Sequence, residues 1–165
     1  MRKDVVDAIS AVWARELAPV SGVQFELSKR AARLSAMFSE RVGVELAKLG
    51  LTKAEYEILA VLRAAGAPYR LRPSDIGGRL VLSSGGTSNL LRRLGDAGLV
   101  EREADASDAR SSWVRLSADG VAVAEKAVLA AGAAQSALLH AVPPKLAEAA
   151  SAALRDLLIA LGDGA

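Results

Sequence analysis

The spacing of the apolar residues changes from helical to strand-like within one stretch of the chain, residues 51–116. Three helical segments come first. Two cover about residues 53–65 and 73–80, and the third is capped by Ser83 or Ser84 and continues to Gly95 or Ala97. The capping-box pattern of Thr52 with Glu55, and the proline at position 73, mark where two of these helices begin. After Gly98 the apolar residues alternate in period two on both sides of a polar turn. This order of helix, short helix, helix and two-stranded hairpin predicts a winged helix-turn-helix unit.

Helical patterns also flank this unit on both sides. They cover about residues 4–18, 23–48, 118–140 and 144–161. An apolar content of 52% with only 4% aromatic residues suits such helices and is poor material for a sandwich or a barrel. The expected fold class is mostly α with a small β-hairpin wing, and the winged unit is inserted between two sets of helices. We divide the chain into residues 1–50, 51–116 and 117–165.

Few residues suited to metal or nucleophilic chemistry occur in this chain. It has no cysteine, which excludes a disulfide framework, a thiolate metal site and a cysteine nucleophile. His140 is the single histidine, and although Ser136 lies one helical turn before it, no acid is placed to orient the imidazole. The glycine-rich segment 81–87 lacks the Gly-Lys-Ser/Thr ending of a phosphate-binding loop. We therefore expect no enzymatic activity, no metal site and no cofactor.

The N-terminal segment does not resemble a secretory signal, because charged residues interrupt it. They are Asp4, Asp7, Arg15 and Glu16. The longest stretch without formal charge, residues 127–144, contains polar residues and two prolines and is too interrupted for a membrane-spanning helix. We therefore expect a cytoplasmic protein with no membrane partner.

The second helix of the predicted helix-turn-helix has two chemically different faces. Thr87, Leu91 and Leu94 turn one way, with Leu90 beside them, and they would fix the helix on its scaffold. The opposite stripe combines small or polar residues with one arginine, which allows close approach to base edges. It consists of Gly85, Ser88, Asn89 and Arg92. We expect this stripe to contact double-stranded DNA, together with Ser84 and Gly86 at the start of the helix.

The charge around this helix supports DNA as the partner. Residues 79–93 contain Arg79, Arg92 and Arg93 and no acidic residue, so the local field is positive although the net charge of the chain is only +2. An ordinary amphipathic helix with a solvated polar face would show the same pattern. The hairpin that follows the helix favours DNA binding over that alternative.

Several motifs in the same region match a known family. They are Leu71-Arg72-Pro73-Ser74-Asp75-Ile76, Leu99-Val100-Glu101-Arg102, Asp105-Ala106-Ser107-Asp108-Ala109-Arg110 and Val114-Arg115-Leu116-Ser117-Ala118-Asp119-Gly120. On these motifs the chain resembles the MarR family of bacterial transcription regulators over about residues 25–160. The wing pattern of the family is Asp-x-Arg-Asp-x-Arg, and Ser107 replaces its first arginine here. The resemblance implies that Arg110 enters a DNA minor groove and that Asp108 holds this arginine in position.

The resemblance also implies that helices from both ends of the chain form a homodimer. The amphipathic segments support this independently, because they carry more apolar surface than one small winged unit can cover. These segments are residues 23–48, 121–140 and 144–161. A dimer suits a pseudo-palindromic operator, with two recognition helices about one DNA turn (~34 Å) apart. The expected function is that of a homodimeric repressor or regulator, and a protein-binding winged helix is the alternative.

The helix at residues 4–18 lies outside the minimal family pattern. It looks like the added helix of the urate-responsive branch, which binds its ligand with a Trp, an Asp and two Arg. Aligned by eye, Trp13 and Arg102 match, Glu57 replaces the aspartate, and Leu90 stands where the other arginine would be. The resemblance implies release from DNA by a small aromatic or anionic effector, such as a purine or a phenolic compound. Alternatively, Trp13 anchors its helix against the dimer core and the chain binds DNA constitutively.

Overall fold

The computed structural model describes residues 3–80, 84–105 and 108–163, without the side chains of residues 84, 105 and 108–111. Its elements in chain order are α1 (Val5–Glu16), a 3-10 turn (Ala18–Val20), α2 (Val23–Lys48), α3 (Lys53–Ala64), β1 (Arg70–Leu71), α4 (Pro73–Leu80), α5 (Ser84–Asp96), β2 (Val100–Asp105), β3 (Asp108–Leu116), α6 (Ala118–Leu139) and α7 (Pro144–Ala160). The predicted helices are confirmed, and their ends differ from the predicted ends by no more than one or two residues.

The start of α3 is fixed by the predicted capping box. The Glu55 amide donates to Thr52 Oγ1 at 3.3 Å, and the Thr52 amide donates to Glu55 Oε2 at 2.9 Å. Asp4 and Asp7 form the same reciprocal arrangement at the start of α1, which was not predicted from the sequence. Such caps satisfy amide groups that have no partner inside the helix.

Three antiparallel strands form one small sheet in the order β1–β3–β2. In the hairpin, Val100 pairs with Leu116 and Arg102 pairs with Val114, and Leu71 of β1 pairs with Val114 on its other side. The apolar members of these pairs are buried, so one face of the sheet joins the core. The sequence predicted only the hairpin, because a two-residue strand has no periodicity and forms only by pairing with β3.

α6 is the central helix of the core. It packs against both α2 and α3 through a buried stripe of small residues: Ala124, Ala127, Ala131 and Ala134. The length and composition of α6 would also suit a helix that crosses a membrane, but here its alanine stripe packs inside the protein. The rest of the core comes mainly from α2 to α5 and includes Leu46, Ile58, Leu59, Leu62, Ile76, Leu91 and Leu94.

Charged side chains around Arg30 attach α1 to α2. The guanidinium of Arg30 lies 2.9 Å from carboxylate oxygens of Asp4 and Asp7 and 2.8 Å from one of Glu26. Ser10 Oγ donates to Glu26 at 3.0 Å. Hydrogen bonding to Arg30 lowers the pKa of Asp4 to about 2 and also lowers the pKa of Glu26. α1 therefore turns a mostly polar face toward α2.

Apolar surface is exposed on helices at both ends of the chain. On α1 the exposed apolar residues are Val5, Ile9, Val12 and Trp13. At the other end, α7 buries none of its residues. A groove of about 670 Å³ lies between α2, the end of α6 and α7, and its apolar lining includes Leu34, Phe38, Leu139, Leu146, Leu154 and Leu158.

Candidate nucleic-acid interface

The two faces of α5 are arranged as the sequence predicted. Thr87, Leu91 and Leu94 are at most 3% exposed, and Leu90 is half-buried beside them. The predicted DNA-facing residues with described side chains are all exposed, namely Gly85, Gly86, Ser88, Asn89 and Arg92. Ser84 is the first residue of α5, but its side chain lies outside the described part of the chain. The helix therefore offers a continuous exposed stripe of small or polar residues with one arginine.

Arg92 and Asn89 are joined on this stripe. Arg92 Nη2 donates to Asn89 Oδ1 at 2.9 Å, and Arg92 Nη1 donates to Asp96 Oδ2 at 3.3 Å. All three side chains are exposed, so these bonds cost little to exchange for bonds with another molecule. A guanidinium and an amide are the side-chain groups that best form paired hydrogen bonds with guanine and adenine. The stripe thus carries the chemistry that base recognition requires.

Arg93 points to a different partner from Arg92. Arg93 Nη2 lies 2.9 Å from Glu55 Oε1, and the Glu55 side chain is only 8% exposed. Because Glu55 also belongs to the capping box of α3, this ion pair connects the last turn of α5 to the first turn of α3. From the sequence, Arg93 was expected only to add positive charge to the DNA-facing element, and this partner was missed.

The wing is the hairpin of β2 and β3, and Asp105 pairs with Asp108 near its tip. Asp108 and Arg110 both belong to β3, but their side chains lie outside the described residues. Ser107 also lies outside them. The minor-groove role of Arg110 and the supporting role of Asp108 therefore stay predictions.

Trp113 lies between two arginines on the outer face of the sheet. The guanidinium carbons of Arg70 and Arg72 lie 4.8 and 4.7 Å from its ring centroid. Arg70 Nη1 also donates to Glu103 Oε1 at 2.7 Å, and Glu103 is the cross-strand neighbour of Trp113. These contacts join all three strands and connect the wing to the residue before α4. These contacts were not predicted from the sequence. Strand alternation does indicate that Trp113 and the buried Val114 lie on opposite faces of the sheet, so the outward position of the tryptophan was predictable.

Comparison with known proteins finds similarity to one family. A family model described as "MarR family" matches residues 49–111, which run from the end of α2 into the wing. The HTH-type transcriptional regulator PecS of Dickeya dadantii (strain 3937) is 32% identical over 97 residues, which are 59% of this chain. The central part of the chain is therefore similar to MarR family proteins. The match spans 58% of the length of PecS.

Solved structures of MarR family proteins share the fold. A mutant of MarR from E. coli, complexed with operator DNA, has a TM-score of 0.72 at 19% identity and covers 94% of this chain and 99% of its own. MepR from S. aureus, solved as a DNA complex, has a TM-score of 0.71 at 23% identity, covering 81% and 96%. A MarR family regulator from Silicibacter pomeroyi has a TM-score of 0.67 at 28% identity, covering 87% and 94%. At these identities, the comparisons with MarR and MepR show a shared fold only.

Ser136 and His140 are one helical turn apart near the end of α6. Both side chains are exposed on or beside the last turn of this helix.

The three candidate effector residues lie on three different elements of the chain. Trp13 on α1 is 39% exposed, Glu57 on α3 is half-buried and Arg102 on β2 is exposed. Arg102 shares the core-facing side of the sheet with its partner Val114. No hydrogen bond or ion pair joins the three side chains within the described residues. Their grouping around a ligand therefore stays a prediction.

A second groove, of about 590 Å³, lies beside Glu57 between α3 and α6. Tyr56, Arg63 and Glu125 line it, and Arg63 Nη2 donates to Glu125 Oε1 at 2.8 Å. Burial raises the pKa of Tyr56, and the charge of Glu57 adds to this effect. Trp13, Glu57 and Arg102 line neither this groove nor the groove beside α7.

The described residues contain no group of three or more His, Asp or Glu side chains that could hold a metal ion. The carboxylates of Asp4, Asp7 and Glu26 do approach one another, but the guanidinium of Arg30 occupies the space between them. This cluster is therefore a link between two helices.

Proposed function

We propose that the chain is a transcriptional repressor that binds a pseudo-palindromic DNA operator as a homodimer in the cytoplasm. The observation that carries this proposal is the exposed stripe of α5 opposite a face that is almost fully buried. A helix held in this way can enter a major groove, which is about 12 Å wide. The fold likeness to MarR in complex with operator DNA supports the proposal.

Two kinds of DNA contact follow from this arrangement. In the major groove, Asn89 reads adenine and Arg92 contacts guanine or a phosphate, while Gly85 lets the backbone come close. Ser84, Gly86 and Ser88 complete this surface at the start of α5, where backbone amides favour a phosphate. In the minor groove, Arg110 at the wing inserts its guanidinium and Asp108 orients it.

A second copy of the chain covers the apolar surface at the two ends of the sequence. α7 buries none of its residues within one protomer, and the groove beside it is lined by leucines and a phenylalanine. Exposed apolar surface of this extent is typical of an interface between chains. In this proposal, residues 1–50 and 117–165 form the dimer and residues 51–116 bind DNA.

A small aromatic or anionic effector releases the DNA in this proposal. Trp13 offers a half-exposed indole, and Arg102 offers an exposed guanidinium on the core-facing side of the sheet. Glu57 on α3 would complete the site once two protomers meet. The ligand would favour a spacing of the two recognition helices that no longer fits the operator. Leu90 removes one cationic anchor, so phenolic compounds compete with urate as candidates.

The DNA proposal is tested on a duplex selected by the wild-type protein from a random pool. Asn89→Ala is expected to relax base preference at one position by about 1–3 kcal/mol. Arg110→Ala is expected to weaken binding at most sequences, measured by fluorescence anisotropy at several salt concentrations. Undiminished operator binding by Arg110→Ala would show that the wing assignment is wrong. Absence of salt-dependent duplex binding by the wild-type protein would favour a protein-binding winged helix.

The effector proposal is tested by a thermal-shift screen with urate, xanthine and salicylate. Compounds that raise the melting temperature are then tested for release of the operator. Equal binding of these compounds to Trp13→Ala and Arg102→Ala variants would show that the pocket lies elsewhere. If no compound changes the melting temperature, the result favours a constitutive regulator in which Trp13 only anchors α1.

A further inference from the structure

Arg93 lies at the edge of the DNA-facing side of α5, nearly in line with Gly86 around the helix axis. Successive residues of an α-helix are separated by about 100° around its axis. Arg93 therefore lies about a quarter of a turn from the middle of the stripe that contains Ser88, Asn89 and Arg92, on the flank beside the half-buried Leu90. From this flank its guanidinium reaches α3 and meets Glu55 Oε1 at 2.9 Å.

Glu55 is an unusual partner for an arginine on a surface helix, because its own side chain is 8% exposed. Its second oxygen, Oε2, accepts from the Thr52 amide at 2.9 Å and from Thr52 Oγ1 at 2.7 Å. Burial raises the pKa of Glu55, but the hydrogen bonds from Thr52 and the charge of Arg93 outweigh burial and hold it below its ordinary value. The carboxylate is therefore ionised and fixed in position, and its charge is stabilised by Thr52 and Arg93.

The two ends of this ion pair differ in exposure. Glu55 is held at the start of α3, whose Ile58, Leu59 and Leu62 are fully buried in the core. Arg93 is half-exposed, so its guanidinium could be drawn toward a phosphate only by leaving a buried carboxylate without its charge partner. The ion pair therefore holds α5 at one rotation about its own axis and disfavours a contact between Arg93 and a phosphate.

We propose that Arg93 is a positioning residue that sets the rotation of the recognition helix through its bond to Glu55, and that it does not contact DNA. This inference rests on the DNA-binding function proposed above. A rotation of α5 moves Asn89 and Arg92 relative to base edges without changing the number of positive charges near the phosphates. Loss of the ion pair therefore lowers specificity and leaves the salt dependence of binding unchanged.

The test compares Arg93→Ala with Arg92→Ala, its neighbour on the exposed stripe and a matched loss of charge. Binding to the selected operator duplex and to a scrambled duplex is measured over a range of salt concentrations. Arg93→Ala is expected to reduce the ratio of operator to scrambled affinity by about tenfold, with an unchanged slope of log K against log salt. Arg92→Ala is expected to reduce that slope by about one for each phosphate that Arg92 neutralises.

Two further variants keep the proposal testable if Arg93→Ala folds poorly. Glu55→Gln retains the hydrogen-bonding shape of the cap but removes the charge, and Arg93→Lys retains the charge. Glu55→Gln is expected to reproduce the loss of specificity, and the double variant with Arg93→Ala is expected to lose no more than either single variant. Arg93→Lys is expected to restore part of the specificity.

A DNA-independent measurement separates failure of this inference from failure of the proposed function. Hydrogen exchange of the α5 amides in free protein is expected to be faster in Arg93→Ala than in Arg92→Ala. Equal exchange in the two variants would overturn the anchoring role. A reduced salt slope in Arg93→Ala with an unchanged specificity ratio would identify Arg93 as a phosphate contact and also overturn it. A wild-type protein that shows no operator preference would overturn the DNA function, while the exchange result would still decide whether Arg93 anchors α5.

Discussion

Gly120 on α6 lies directly against the carbonyl group of Leu99, so that a Cβ at this position would overlap the Leu99 carbonyl oxygen and lie 2.9 Å from its carbon. Two hydrogen bonds fix this junction. Ser117 Oγ donates to the Gly98 carbonyl at 2.6 Å, and the Ser117 amide donates to the Leu99 carbonyl at 3.1 Å. The end of the helix-turn-helix and the start of the central helix are therefore joined backbone to backbone.

Gly120→Ala is expected to lower the free energy of unfolding by about 3 kcal/mol, because two backbone segments must separate to admit one methyl group. Chemical denaturation monitored by circular dichroism measures this change. The matched control is Gly132→Ala on the same helix, where an added Cβ meets no atom within 4 Å. This control is expected to stabilise the protein by about 0.5–1 kcal/mol through helix propensity. Similar effects of the two substitutions would contradict the close packing at Leu99.

Arg30→Met is expected to destabilise the attachment of α1 in a pH-dependent manner. The pKa of Asp4 is lowered from 3.8 to about 2 in the folded protein. The stability that the ionised Asp4 carboxylate contributes is therefore fully present above pH 3.8 and is lost as the pH falls toward 2. The difference in melting temperature between wild type and Arg30→Met should therefore be largest at pH 5 and above and should shrink below pH 4. Arg33→Met, on the same helix, removes the same charge and serves as the control. A difference that stays constant from pH 6 to pH 3 would contradict the role of the Asp4 carboxylate.

Trp113→Leu is expected to weaken the connection between the wing and the start of α4. It removes the stacking of Arg70 and Arg72 on the indole, which corresponds to about 1–2 kcal/mol of stability. Trp113→Phe keeps an aromatic face and should be less destabilised. Thermal denaturation compares the three proteins, and equal melting temperatures for Trp113→Leu and wild type would show that the stacks contribute nothing.

Leu158→Glu is expected to convert the proposed dimer into a monomer, because it places a charge in the apolar groove between α2 and α7. Sedimentation equilibrium at micromolar concentration measures the mass. Ala153→Glu adds the same charge to the same helix outside this groove and should leave the dimer intact. If the wild-type protein itself sediments as a well-behaved monomer, the proposed assembly is wrong.

The features that were predictable from the sequence are those that depend on neighbours within one helix or hairpin. The two faces of α5 follow from the helical repeat, so Asn89 was predicted to be exposed and Leu91 to be buried, and both predictions are confirmed. The capping box of Thr52 and Glu55 follows from a spacing of three residues. Turn residues and strand alternation likewise predicted the hairpin, although not its full length.

Which distant side chains meet depends instead on the packing of the elements in three dimensions. Glu55 was predicted as a cap, but its second partner, Arg93, comes from another helix and has no periodic relation to it. In the same way, Arg72 approaches Trp113 because β1 pairs with β3, and a two-residue strand leaves no pattern in the sequence. The sequence pattern around Arg30 is equally compatible with a solvated charge, and only the packing of α1 against α2 brings Asp7 to it. Helix and strand periodicity report which face of an element is buried, whereas the identity of the partner depends on how the elements pack against one another.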